Sequence, residues 1–220
     1  MTDRPAPPLD ATDAEREEYW NEFYASTRAR QRPLPSQFAA FVAGELTGPA
    51  RIVEFGCGAG RDTIFFASHG HDVTGVDGSK AAVESCAALA DELGEKAEFL
   101  AATIDDPDLA SRIRVEPGNT VVYARFFVHA ITDEEEIAFL RLAAELTSPG
   151  DRLAVEYRTV RDASGAKVTG THYRRFVDPT AFNANAVLQG FEVQYAVEGF
   201  GFAKYRQDDA YVARALLVKR

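Results

Sequence analysis

Cysteine is nearly absent from this chain of 220 residues: Cys57 and Cys86 are the only two. A pair so placed builds no disulfide framework, and its spacing matches no zinc motif. The four histidines are scattered and none belongs to an H-E-x-x-H pair, so no metal site is expected. No apolar run reaches the roughly 18 residues a membrane helix needs. Bases are also scarce, 24 against 34 acids, for a net charge of −10. That balance repels polyanions and anionic membrane surfaces, which speaks against a broad nucleic-acid footprint. The start, Met1-Thr2-Asp3-Arg4-Pro5-Ala6-Pro7-Pro8, is polar and proline-rich and lacks the apolar core of a signal peptide. Residues 1–12 are expected to be a disordered lead-in, and the cytoplasm is the expected setting.

Glycine, by contrast, is concentrated where it matters. Apolar Ile52-Val53 leads into Glu54-Phe55-Gly56-Cys57-Gly58-Ala59-Gly60-Arg61-Asp62. A strand ending at Phe55 would turn through three alternating glycines into a helix, and glycine lets the backbone approach a ligand that a Cβ would strike. A dinucleotide fingerprint, G-x-G-x-x-G, would need its third glycine at position 61, where Arg stands. A second strand, 72–77, ends on Asp77, whose carboxylate is suited to accept from both hydroxyls of a ribose. Gly78 follows, with Ser79 placed as a helix N-cap.

The E-x-G-x-G-x-G run followed by Asp77 resembles the cofactor fingerprint of class I S-adenosylmethionine-dependent methyltransferases. The resemblance covers about residues 48–220 and is specific in the cofactor half. It implies S-adenosyl-L-methionine as cofactor, held around Glu54, Gly56, Cys57, Gly58, Gly60, Asp62, Asp77, Gly78 and Ser79. It adds Ile104 and Asp105 near the adenine and Ala124 at the fourth strand. Thr103 stands where that family often has Asp, which leaves the adenine contact to Asp105 or to the Ile104 backbone. Asp105 and Asp106 could equally cap a helix near Pro107.

The pattern along the chain is β-α alternation. Strands are expected at 51–55, 72–77, 97–102, 120–124, 152–157, 191–197 and 210–218. Helices are expected at 60–69, 79–93, 133–147 and 178–188, with a short one after Pro107; Gly94 stops the second, and Thr132 with Glu135 caps the third. Residues 13–30 and 36–46 read as two further helices before the sheet begins. The fold class is therefore α/β, with helices on both faces of a parallel sheet. The last two strands, joined only by a loop, should form an antiparallel hairpin. With the resemblance this becomes a Rossmann-like seven-stranded sheet, order 3-2-1-4-5-7-6. The division is a lead-in (1–12), an N-terminal helical lid segment (13–47) and a methyltransferase domain (48–220). The aromatic cluster with Tyr19 and Trp20 either lies over the cofactor or covers the sheet's flank.

The substrate half is read from its charges. Between 156 and 175 stand five bases and two acids, a local charge of +3. Arginine forks suit phosphate or carboxylate, so Arg158, His172, Tyr173, Arg174 and Arg175 are candidate substrate contacts, with Tyr19 and Trp20; a solvated loop is the alternative. After the fourth strand, Arg125 is suited to a carboxylate. His129 is either a general base, with an ordinary pKa of about 6.5, or a histidine packed on Phe126. The [DN]-P-P-[YF] signature of amino-group methylation is absent, as is the aspartate of metal-dependent catechol-type enzymes, so metal-free chemistry is expected. Gly199–Arg206 reads as a pocket wall or a hairpin tip. The resulting expectation is methyl transfer to a small, anionic metabolite. Open alternatives are an enzyme of this fold that uses the cofactor for cyclisation or elimination, and a non-catalytic cofactor-binding regulator; an RNA methyltransferase would need a basic face that is not visible.

Overall fold

β4 (Thr120–Arg125) shows why a sheet forms here. Val121, Val122, Tyr123 and Ala124 are all buried, so both faces of the strand are covered. On one side β4 pairs in parallel with β1 (Arg51–Phe55), then β2 (Asp72–Asp77) and β3 (Glu98–Ala101). On the other it pairs with β5 (Arg152–Arg158), followed by β7 (Val212–Lys219) and β6 (Phe191–Gly199), with β7 antiparallel to both neighbours. The order is 3-2-1-4-5-7-6, as expected. This computed structural model describes residues 12–25, 34–113, 119–163, 175–204 and 208–220. Most of the expected lead-in, and His172, Tyr173 and Arg174, lie outside them.

Successive residues on a strand face opposite ways, and two cores result. Val53, Phe55, Val122, Val155 and Leu217 meet α6 (Asp133–Glu145) and α7 (Pro179–Leu188) on one face. Ile52, Val121, Tyr123, Ala154 and Leu216 meet α2 (Gln37–Gly44) and α3 (Arg61–Ser68) on the other. α4 (Lys80–Leu93) packs Leu89 and Ala90 on Ile64 of α3. Its Ser79 cap accepts from Ala82 N, and Gly94 ends it in the left-handed region at φ 69°. α5 (Leu109–Arg112) follows β3, and Thr132 and Glu135 form the reciprocal capping box of α6.

α1 (Asp13–Ala25) stands before the sheet in sequence but is fastened to its far end. Asn21 Oδ1 accepts from Ser79 Oγ and Ala81 N at the start of α4, 2.8 and 3.2 Å away. Arg16 makes two hydrogen bonds to Glu135, at 3.0 and 3.1 Å.

Element ends differ from the sequence reading where neighbouring backbone supplies a partner. β5 continues to Arg158 and β6 to Gly199 because β7 pairs both strands to those ends. β6 also carries a bulge between Val193 and Tyr195. Two single-turn 3-10 segments, at Val128–Ala130 and Val160–Asp162, have no periodicity that a sequence could show.

Candidate functional site

Phe55 of β1 lies level with Val76 of β2 and Ala124 of β4. Three strand ends thus open together, and the glycine turn leaves from the middle one. Gly56, Gly58 and Gly60 hold φ of 71°, 53° and 73°, values costly for residues with a Cβ. Space demands glycine as well: a Cβ on Gly56 would stand 2.9 Å from the Phe127 ring, and one on Gly60 2.9 Å from Cys86 Sγ. Asp77 is locked beside the turn, accepting from Gly58 N and Ser79 N, each at 2.9 Å. A carboxylate has about four acceptor positions, so two remain for a ligand. Burial raises the Asp77 pKa above the ordinary carboxylate value, while the Ser79 and Gly58 amides oppose the rise.

These strand ends floor a cavity of about 340 Å³. Of the residues expected at the cofactor, Gly56, Asp77, Gly78, Ser79, Ile104 and Asp105 line it; of those expected at the substrate, Trp20 does. Arg16, Phe126, Phe127, Ile131 and Glu135 also line it and were not among the expected site residues. Arg16 stands one helical turn before Trp20, a spacing that could have flagged it. Tyr19 is buried but does not line the cavity.

Glu54, Cys57, Gly58, Gly60, Asp62 and Ala124 do not line the cavity. Asp62 Oδ1 accepts from Ser36 N at 2.8 Å, and Oδ2 from Ser36 Oγ at 2.7 Å and Tyr123 OH at 2.8 Å. Asp62 therefore ties α2 and β4 to the turn, a correction to its expected cofactor contact. Glu54 accepts from Thr63 Oγ1 at 2.5 Å. Burial, and then the Asp62 charge, push the Glu54 pKa well above its usual range. The two cysteines are free and buried. Cys86 donates to Gly58 O at 2.9 Å, so a thiol from α4 helps to shape the turn. The Cys86 side chain, and then burial, push the Cys57 thiol up.

The ends of β4 and β5 correct the reading of the substrate half. Arg125 pairs with buried Glu156 at 2.8 Å, and Glu156 also pairs with Arg214 at 2.6 Å. Arg158 is gripped by Asp162 at 2.7 Å and Asp208 at 2.6 Å. Arg175 meets Asp133 at 2.5 Å and Glu136, and donates to Ile131 O and Val128 O. None of the three lines the cavity, so as a substrate clamp each is corrected. The β4–β5 pairing stops at Glu156, two residues before β5 ends, and on that side His129 Nδ1 accepts from the Arg158 N–H at 3.1 Å. An Nδ1 that accepts carries no proton, so the neutral ring holds its hydrogen on Nε2. His129 is buried and packs its edge on Phe126, with centroids 5.1 Å apart. The general-base reading is corrected accordingly. The 199–204 segment packs Phe202 on Arg214 at 4.9 Å, behind Phe126 and away from the cavity.

Residues 52–150 match a family described as methyltransferase domain. That segment, less than half of the chain, is similar to a methyltransferase domain. The surrounding chain has the fold of class I S-adenosylmethionine-dependent enzymes. A protein from the conversion of a disulfide bond into a thioacetal group during echinomycin biosynthesis superposes with TM-score 0.72 at 15% identity, over 92% of both chains. A [4+2]-cyclase gives 0.70 at 17% identity, over 98% of this chain and 99% of that one. Magnesium protoporphyrin IX methyltransferase from Synechocystis, with bound S-adenosylhomocysteine, gives 0.61 at 15% identity, over 96% and 89%. Identities this low show the fold alone. No curated protein matches the chain in sequence.

S-adenosylmethionine fits the residues of this segment. The turn leaves no room for a Cβ where backbone must approach, and Asp77 keeps acceptor positions at the cavity wall. Among the described residues no cluster of acids, histidines and cysteines could hold a metal ion, and no helix is long and apolar enough to cross a membrane.

Proposed function

We propose that this chain binds S-adenosylmethionine in the cavity below α1 and transfers its methyl group to a small-molecule acceptor. The observation that carries the reading is Asp77, fixed at the tip of β2 by two backbone amides with acceptor positions to spare for a ribose diol. When bound, the cofactor supplies an electrophilic methyl on a sulfonium. The chain's part is to align an acceptor with that methyl and to keep water out. Arg16 and Trp20 bring α1 to the cavity wall, which supports a lid role for the helix. A reducing, cytoplasmic setting belongs to the same reading, since both thiols are free.

An anionic acceptor has less support than its charge pattern suggested. Arg125, Arg158 and Arg175 are each held by carboxylates, and Lys167 and Arg174 lie outside the described residues.

Calorimetry with S-adenosylhomocysteine tests the site, and binding unchanged by Asp77→Ala would remove its basis. Mass spectrometry of the spent cofactor tests the reaction. S-adenosylhomocysteine marks methyl transfer; methylthioadenosine marks cyclisation or elimination within the cofactor chain. The fold is also that of a [4+2]-cyclase, and a second reading is cyclisation of a substrate in this cavity.

A further inference from the structure

The strained and charged groups around the cavity are accounted for by one another. Phe126, among the described residues the only one other than glycine with a positive φ, 57°, is held by its neighbours. Its N–H donates to Glu156 O at 2.8 Å, and the Arg125 guanidinium lies 4.2 Å from its ring centroid. The chain's two thiols have no such account. Cys57 sits in the glycine turn and Cys86 on α4, with all of α3 and β2 between them, yet the fold brings both to one place.

The Cys86 Sγ stands 2.9 Å from where a Cβ on Gly60 would be, and the Cys86 Cα 3.7 Å. Cys57 shares that turn, its carbonyl accepting from Gly60 N at 2.9 Å. A Cβ on Gly75 would stand 3.1 Å from the Cys57 Sγ, so a glycine in β2 makes room for the thiol. The Cys86 side chain acts on that thiol more strongly than burial does. Gly58 is where this pair meets the cofactor site. Its N–H donates to Asp77 Oδ2 at 2.9 Å, and its carbonyl accepts from Cys86 Sγ at 2.9 Å. One residue thus joins the carboxylate suited to the ribose to a thiol on α4. A disulfide would remove the hydrogen that Gly58 O accepts, and would draw Cys57 to within about 4.4–6.8 Å of Cys86, Cα to Cα. Both changes pull the Gly58 N–H away from Asp77.

Resting on the reading that this cavity takes S-adenosylmethionine, we propose that Cys57 and Cys86 form an oxidation site at which a hydroperoxide closes a disulfide and so withdraws the turn from the cofactor. Cys57 is 5% exposed and Cys86 0%, so Cys57 reacts first. Its thiolate sulfur attacks the peroxide: an S–O bond forms, the O–O bond breaks, and the departing hydroxide takes up the thiol proton as water. The Cys86 sulfur then attacks the resulting sulfenic acid. The S–S bond forms as the S–O bond breaks, and the Cys86 proton leaves with that oxygen as a second water. Two thiols lose two electrons, and one hydrogen peroxide becomes two waters. Burial slows the first step, so the site responds to prolonged exposure and ignores a brief one.

The test treats the full chain with hydrogen peroxide and then removes the excess with catalase. Peptide mapping without reductant should show Cys57 joined to Cys86. S-adenosylhomocysteine affinity, by calorimetry, should fall about tenfold or more, and dithiothreitol should restore it. Cys57→Ser and Cys86→Ser cannot form the bond. In each, treated and untreated samples of the same variant should agree within about twofold. Two thiols still unjoined after treatment, a disulfide form that binds as tightly as the reduced one, or a wild-type loss in either serine variant would each overturn the proposal. The oxidised and reduced wild-type chains make the comparison even where a serine variant fails to fold. Failure of the untreated chain to bind S-adenosylhomocysteine would instead sink the cofactor reading, while the peptide map would still report the disulfide.

Discussion

The two ends of the sheet use charge in opposite ways. At the β1–β2 end, Asp77 is held by two backbone amides and keeps acceptor positions facing the cavity. At the β4–β5–β7 end, Arg125, Arg158 and Arg214 meet Glu156, Asp162 and Asp208 and satisfy one another. A charge fixed by backbone remains available to a ligand; a charge fixed by an opposite charge becomes scaffold. The first end is built for binding and the second for holding Phe126 in place.

The largest effect expected from breaking this contrast is at Glu156, whose loss leaves two largely buried guanidiniums without their partner. Glu156→Ala should destabilise the fold by about 3–5 kcal/mol. Chemical denaturation measures it, and a loss below about 1 kcal/mol would show the network to be dispensable. Asp77→Ala should do the reverse, leaving the fold standing while costing about 1.5–3 kcal/mol of cofactor affinity, roughly ten- to a hundred-fold by calorimetry.

Phe126 sharpens the comparison further. Glycine normally destabilises more than alanine, but at a left-handed position the order inverts. Phe126→Gly should be more stable than Phe126→Ala by about 1 kcal/mol. The usual order in thermal melts would mean that the φ of 57° carries no strain.

The smallest effect is a pH dependence at Glu54. Its folded pKa is raised by burial and by Asp62, so the folded state binds a proton more readily than the unfolded chain does. That contribution is favourable below the unfolded carboxylate pKa and is lost as pH rises from there towards the folded value. Glu54→Gln should remove this decline, so the variant gains on the wild type between acid and neutral pH. Melting curves that stay parallel across that range would contradict it.

What was legible in the sequence was local. The glycine turn, Asp77, the Ser79 cap and the Thr132–Glu135 box are each written within ten residues or fewer, and the strand order followed from β-α alternation and the family resemblance. What was not legible depends on partners far away in the chain. Arg158 looked like an anion clamp because Asp208 stands 50 residues on, and Asp62 looked like a cofactor ligand because Ser36 and Tyr123 come from other elements. Phe126 has an ordinary neighbourhood in sequence; only the ladder bond to Glu156 and the flanking guanidiniums reveal its conformation.

The polar fastening of α1 has a consequence for the order in which the molecule comes apart. Its attachments to Ser79, Ala81 and Glu135 span 58, 60 and 119 residues of chain, so they form only after the sheet has closed. Among the described residues, none of α1 belongs to either core cluster. α1 is therefore the first described element to detach, at a cost well below that of global unfolding. In native-state hydrogen exchange its amides should open as one group while those of β1 and β4 stay closed. Opening and closing of the cavity then becomes a local equilibrium that leaves the sheet folded.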